Sequence, residues 1–279
     1  MRVCGFDNRG ARRPGEDSVT ASTAARERAR ERLIFALDVG SLREAGDHVR
    51  ALRDHVGMFK VGKQLFLRTG PRIIKYLHDL GVEVFLDLKF HDIPQTVARA
   101  SVEATRLGVY MFNMHASGSS EMMRRTVAEV HRACRTEGLR RPRLLAVTVL
   151  TSLTGNDLEN IGVNSPVPDQ VVRLATLAET SGMNGVVASP LEIEAIRKAC
   201  ARRFLIVTPG IRRSTDEADD QNRTSGAAAA VAAGADYVVV GRPIRDAADP
   251  PAEADAIVDE IAEGLRRGKR STARVVKRS

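Results

Sequence analysis

The chain has no tryptophan among its 279 residues, and only three tyrosines and eight phenylalanines. Proteins that grip single-stranded nucleic acid stack its bases on aromatic rings, so base stacking is a poor basis for function here. Cysteine is equally scarce. Cys4, Cys134 and Cys200 lie far apart, form no CxxC pair and have no zinc spacing. Their odd number also argues against a disulfide framework, which fits a reducing cytoplasm. No apolar run approaches the ~18 residues of a membrane helix. The polar N-terminus lacks the apolar stretch of a secretory signal. HxH, HExxH and Cys/His clusters are missing, so no metal is expected.

Charge is abundant but uneven. The formal net charge is +8. Residues 1–32 carry eight Arg against five acids, residues 264–279 carry seven Lys or Arg and no acid, and 33–263 are left at −2. A basic tail can hold nucleic acid by counterion release. A solvated, disordered end is the simpler reading. Nucleic acid is therefore not an expected partner, except through the tail.

What the chain does have is a rhythm. From Leu33 onward, short apolar runs alternate with longer amphipathic segments. Eight runs read as strands: 33–38, 58–62, 82–89, 109–116, 143–150, 185–189, 204–210 and 236–241. Continuous Val/Ile/Leu suits strands covered on both faces. Between them lie helical patterns such as 42–55, with Leu42, Ala45, Val49 and Leu52 on one face, and the alanine-dense 227–235. Several of these segments end in Gly, including Gly138 and Gly182, as helix C-termini prefer. Eight β–α units over ~230 residues predict an α/β fold, a single (β/α)8 TIM barrel over 31–265. Residues 1–30 form an N-terminal extension, partly disordered, with a helical start near Ala24. Residues 266–279 form a basic, disordered C-terminal tail. No GxGxxG follows the first strand, which weakens an open doubly wound sheet.

Chemistry in such barrels sits at the C-terminal ends of the strands. The polar residues there are Asp38, Lys60, Asp87 and Lys89 with Asp92 beyond, His115, Thr151 and Ser152, the run Pro209-Gly210-Ile211-Arg212, and Gly241-Arg242. Asp87 and Lys89 are two apart on a strand and point to one face. Buried charges must be paired. Lys60 on the neighbouring strand extends the pair to a Lys-Asp-Lys row. A salt-bridge layer without chemistry would be a costly filling for a barrel usually packed with Val, Ile and Leu. Asp92 taken alone reads equally well as a helix cap ahead of Pro94. The two loops with Arg212 and Arg242 stand where barrels commonly bind phosphate, with Gly allowing close backbone approach. Ser41 is a better cap than Asp38 for the helix that follows, which leaves Asp38 available for hydroxyl groups. His115 reads as a hydrogen-bonded strand-end histidine and His91 as an exposed loop residue. Lys89 between Asp87 and Asp92 would repel Mg²⁺.

The row "DLKFHDIPQT" resembles the signature of orotidine 5'-phosphate decarboxylases. "ALDV", "KVGKQLF", "NMHASG", "VTVLTS", "VTPGIR", "DDQNR" and "VVGRPI" resemble further segments of that family, in its order. The resemblance covers roughly 33–265 and leaves both ends outside. It implies a cofactor-free enzyme that converts orotidine 5'-monophosphate to UMP and CO2, in the cytoplasm, as a homodimer with shared active sites. It implies that Asp38 and Lys60 bind the ribose and that Asp87 sits beside the substrate carboxylate. Lys89 would protonate C6, and Thr151 would contact the pyrimidine. Arg212, Gln221, Gly241 and Arg242 would hold the phosphate. Asp92 and Thr96 would reach into the partner's site. Residues 153–168 would serve as a lid. The rivals are a Mg²⁺-dependent synthase or decarboxylase of sugar phosphates on the same scaffold, which shares the D-x-K-x-x-D core, and a nucleic-acid-binding protein acting through the tail.

Overall fold

The computed structural model describes residues 23–211 and 225–276, with side chains to residue 268. Eight parallel strands close into a barrel in sequence order. They are β1 (Leu33–Ala36), β2 (Met58–Gly62), β3 (Val84–Phe90), β4 (Met111–His115), β5 (Arg143–Val147), β6 (Gly185–Val187), β7 (Leu205–Thr208) and β8 (Tyr237–Val240). β1 pairs with both β2 and β8, which completes the closure. Each of the eight apolar runs expected from the sequence supplies one strand: β2 matches its run, β3 starts two residues later and runs one further, to Phe90, and the other six are trimmed.

Strand residues alternate between two buried layers. Ile34, Ala36, Met58, Phe85, Met111, Leu145, Val207 and Val239 fill the barrel interior. Their neighbours, such as Leu33, Phe35, Phe59, Leu86 and Phe112, pack outward beneath the helices. Both faces are therefore apolar, which explains the unbroken hydrophobic runs. The interior is filled from below, so chemistry is confined to the upper rim.

The helices stop and start on local signals. α2 (Leu42–Leu52) begins at Ser41, whose hydroxyl accepts the Glu44 N–H at 3.2 Å. That leaves Asp38 outside the cap, as its position suggested. α6 (Ser120–Glu137) ends at Gly138 with φ 68°, a left-handed turn that glycine adopts without strain. A helix over 23–30 precedes β1 and docks on α12 (Pro250–Val276), through Arg26 to Asp255 at 2.9 Å and to Asp259 at 3.2 Å. The boundary expected at 265/266 falls inside α12, whose backbone runs to Val276. The rest of the expected N-terminal extension, 1–22, lies outside the described residues. Among the described residues, no helix is long and apolar enough to cross a membrane.

Candidate active site

Four charged side chains meet at one rim. Asp38 follows β1, Lys60 is on β2, and Asp87 and Lys89 are on β3. Lys60 Nζ lies 3.1 Å from Asp38 Oδ1 and 3.3 Å from Asp87 Oδ2. Lys89 Nζ lies 2.7 Å from Asp87 Oδ1. The result is a continuous chain, Asp38–Lys60–Asp87–Lys89, with alternating sign. It is least exposed at its centre. The Asp87 and Lys60 side chains keep 11% and 12% of their exposure, against 27% for Lys89 and 51% for Asp38.

Burial alone would raise the Asp87 carboxyl and depress the Lys60 ammonium. Neighbours reverse both. Lys60, Lys89 and a hydrogen bond from Asn113 hold Asp87 down at about 2. Asp87 and Asp38 hold Lys60 above the ordinary lysine value. Both groups therefore stay charged across the neutral range, and the row is an ordered, semi-dry electrostatic array.

The chain reaches this geometry by a different route from simple alternation. Lys89 has φ 52°, in the left-handed region, which is uncommon for a residue with a side chain. Leu86 pairs with Phe112 and Phe90 with Met114, so β3 bulges over 87–89. The expectation that Asp87 and Lys89 share a face by strand period is corrected in that detail. The bulge re-aims Lys89, and its ammonium still meets Asp87. Bulges of this kind are common beside active sites.

The row opens into a cavity of about 420 Å³ at the C-terminal mouth of the barrel. Asp38, Lys60, Asp87, Lys89, Thr151, Gly241 and Arg242 all face it. Thr151 stands beside Val149 and Leu150, an apolar wall after β5, while Pro209, Gly210 and Ile211 close the β7 side. Gly210 has φ 79°, which lets that loop turn against the opening. Gly241 leads directly into the Arg242 turn.

Other expected site residues stand elsewhere. Asp92 and Thr96 are exposed and do not face the cavity of their own chain. Asp92 Oδ1 accepts the next backbone N–H, that of Ile93, at 2.6 Å; the helix α5 (Pro94–Arg106) has Ile93 as its cap residue, without a side-chain cap. Arg212 and Gln221 lie outside the described residues. His115 ends β4 with its ring 5.3 Å from that of exposed His91. Burial, with His91, Lys89 and Lys63 nearby, lowers His115 to about 4, so it is neutral at physiological pH. The span 153–168 holds the short helix α7 (Gly155–Asn160), closed by a reciprocal Thr154–Asp157 capping pair.

Two site residues escaped the sequence reading. Asn113 is fully buried on β4 and hydrogen-bonded to Asp87. A lone asparagine inside an apolar strand was the signal for it. Arg245 faces the cavity, donates to the Asp38 carbonyl at 3.2 Å and pairs with Asp246 at 2.6 Å. Its only sequence cue was a position one turn beyond Arg242. Among the described residues, no group of three or more His, Cys, Asp or Glu is arranged to hold a metal.

Residues 31–257 match the model of the orotidine 5'-phosphate decarboxylase / HUMPS family. The chain is similar to the orotidine 5'-phosphate decarboxylase of Geobacter metallireducens, 53% identical over 239 residues, covering 86% of this chain and 99% of that relative. The namesake from Geobacter sulfurreducens is 54% identical over the same shares. Among solved structures, the fold resembles an orotidine 5'-phosphate decarboxylase from Lactobacillus acidophilus, with TM-score 0.73 and 37% identity over 82% of this chain and 98% of that one. A second, from Pyrococcus horikoshii, gives TM-score 0.65 and 29% identity over 82% and 98%.

Proposed function

The chain belongs to the orotidine 5'-phosphate decarboxylase / HUMPS family and decarboxylates orotidine 5'-monophosphate in pyrimidine nucleotide synthesis; we propose that it does so without a cofactor, by chemistry centred on Lys89. The observation that carries this reading is the Asp38–Lys60–Asp87–Lys89 row at the mouth of the cavity.

Loss of CO2 breaks the bond from C6 and leaves its electron pair on the ring, with no ordinary sink. The Lys89 ammonium stabilises that developing charge and then gives C6 a proton, becoming an amine that is reprotonated by water. A fixed cation in a water-poor site is worth far more than the same cation in bulk solvent. Asp87 keeps Lys89 in place and stands beside the departing carboxylate. Asp38 and Lys60 take the ribose hydroxyls. Thr151 meets the pyrimidine. Gly241 and Arg242, with Arg212 and Gln221, hold the phosphate, and contacts so far from C6 supply binding energy for orienting the ring. Residues 153–168 act as a lid that excludes water.

We further assign Asp92 and Thr96 to the site of a second copy. Both are exposed, and beside them Ile93 leaves 66% of its surface open. We propose accordingly a homodimer with shared sites, and a cytoplasmic setting on the separate ground of the scarce, scattered cysteines. Residues 31–265 are the catalytic unit, flanked by the extensions 1–30 and 266–279.

The test is to incubate the purified protein with orotidine 5'-monophosphate and EDTA and to follow the ultraviolet change as UMP forms. Rapid conversion is expected. No turnover by folded protein, with Mg²⁺-dependent activity on a sugar phosphate, would move the chain to the other branch of the family.

A further inference from the structure

The bulge in β3 has a single counterpart. Between the pairs Leu86–Phe112 and Phe90–Met114, three residues of β3, 87 to 89, stand opposite one residue of β4, Asn113. A bulge leaves backbone groups without ladder partners. Asn113 fills that gap with its side chain. Its Oδ1 accepts the Lys89 N–H at 2.8 Å, and its Nδ2 donates to Asp87 Oδ1 at 2.7 Å. The amide orientation follows from its partners, since a backbone N–H needs an acceptor and a carboxylate needs a donor. Asn113 is 0% exposed and does not face the cavity.

Lys89 holds φ 52°, a conformation that persists only where surroundings over-determine it. The Asn113 amide is the side chain bonded to both ends of the bulge. We propose that Asn113 is a positioning residue for the decarboxylation: it locks the left-handed turn at Lys89 and fixes the Asp87 carboxylate, so that the ammonium is aimed at C6. The inference rests on Lys89 as proton donor.

Asn113→Ala removes both bonds. Its kcat should fall about 100-fold, the usual consequence of a reacting group displaced by ~1 Å. The affinity for UMP should stay within about threefold, because the phosphate and ring contacts are elsewhere. Asn113→Asp has nearly the same shape and guards against a variant that fails to fold. Asp87 and Lys89 of β3 bond this position directly, Lys60 of β2 lies beyond them on the other Asp87 oxygen, and His115 stands further along its own strand. In that variant the introduced carboxylate, when ionised, still accepts from Lys89 but repels Asp87. Once protonated, it can donate as the amide does. Turnover of the variant, as a ratio to wild type at each pH, should therefore climb as pH falls. A purely structural defect would leave that ratio flat.

The proposal is overturned if Asn113→Ala turns over within about threefold of wild type, or if the Asn113→Asp ratio does not change with pH. Failure of the underlying reading looks different. In that case wild type does not convert orotidine 5'-monophosphate, or Lys89→Ala remains active, whatever the Asn113 variants do.

Discussion

Replacing Asp87 with asparagine removes one negative charge from between two ammonium groups and preserves the outline of the side chain. In the native protein, that carboxylate lies 3.3 Å from Lys60 Nζ and 2.7 Å from Lys89 Nζ, and is 8% exposed. Its pKa falls from an ordinary 3.8 to about 2, so the folded state favours the ionised form. A depressed carboxyl contributes stability above its unfolded value and loses it as pH falls through the folded one. The gain is about 2 kcal/mol at neutral pH. Breaking a fully buried pair can cost ~3–5 kcal/mol, but this row borders a cavity that water can enter, so the lower figure applies. Asp87→Asn should therefore lower Tm by roughly 4–8 °C at pH 7. The difference from wild type should shrink as pH falls from ~4 to about 2, because the unfolded chain's carboxyl takes up its proton first and the native one only near the lower value. Turnover should fall at least ~100-fold, because Lys89 loses the anion that holds it. Thermal unfolding across pH and the ultraviolet assay measure both effects. A variant within about 1 °C of wild type at pH 7, turning over within tenfold, would refute the reasoning that the row is a coupled electrostatic unit.

Two further outcomes follow from the same geometry. Mixed dimers of Lys89→Ala with Asp92→Ala should regain part of the wild-type rate, since one shared site would hold both residues; mixed dimers that form and stay inactive would rule out a cross-subunit role for Asp92. His115 is neutral in the fold and lowered from 6.5 to about 4, so the unfolded chain binds more protons between those two values, and stability rises with pH in that window. His115→Asn should lose less Tm than wild type on going from pH ~7 to pH ~5; an equal loss would show that His115 does not set the acid sensitivity.

Much of this site was legible because strand period and barrel rule act together. Alternation puts Lys60 and Asp87 inward, and the barrel confines polar residues to the strand ends. The eight apolar runs therefore led to the fold and to the rim residues at once. The bulge was not legible. It depends on how β3 registers against β4, and nothing local at Asp87-Leu88-Lys89 announces a left-handed residue. Asn113 stood out as a lone amide in an apolar strand, but its partners were hidden for the same reason, being set by that register. Asp92 and Thr96 show the other limit. Both sit in the signature row, yet the fold of one chain turns them outward, away from its own cavity, and a role for them rests on the proposed second copy. Arg245 is placed by the turn after Gly241, a geometry that composition does not encode.

The proposed chemistry turns on one ammonium. It is tested by comparing wild type with Lys89→Ala in the presence of EDTA, reading turnover of orotidine 5'-monophosphate and, on the same preparations, the dissociation constant for UMP. The variant should fold, still bind UMP, and lose at least about 1,000-fold in kcat. Wild-type-like turnover by Lys89→Ala would contradict the proton-donor role and leave the Asp–Lys row without a chemical purpose.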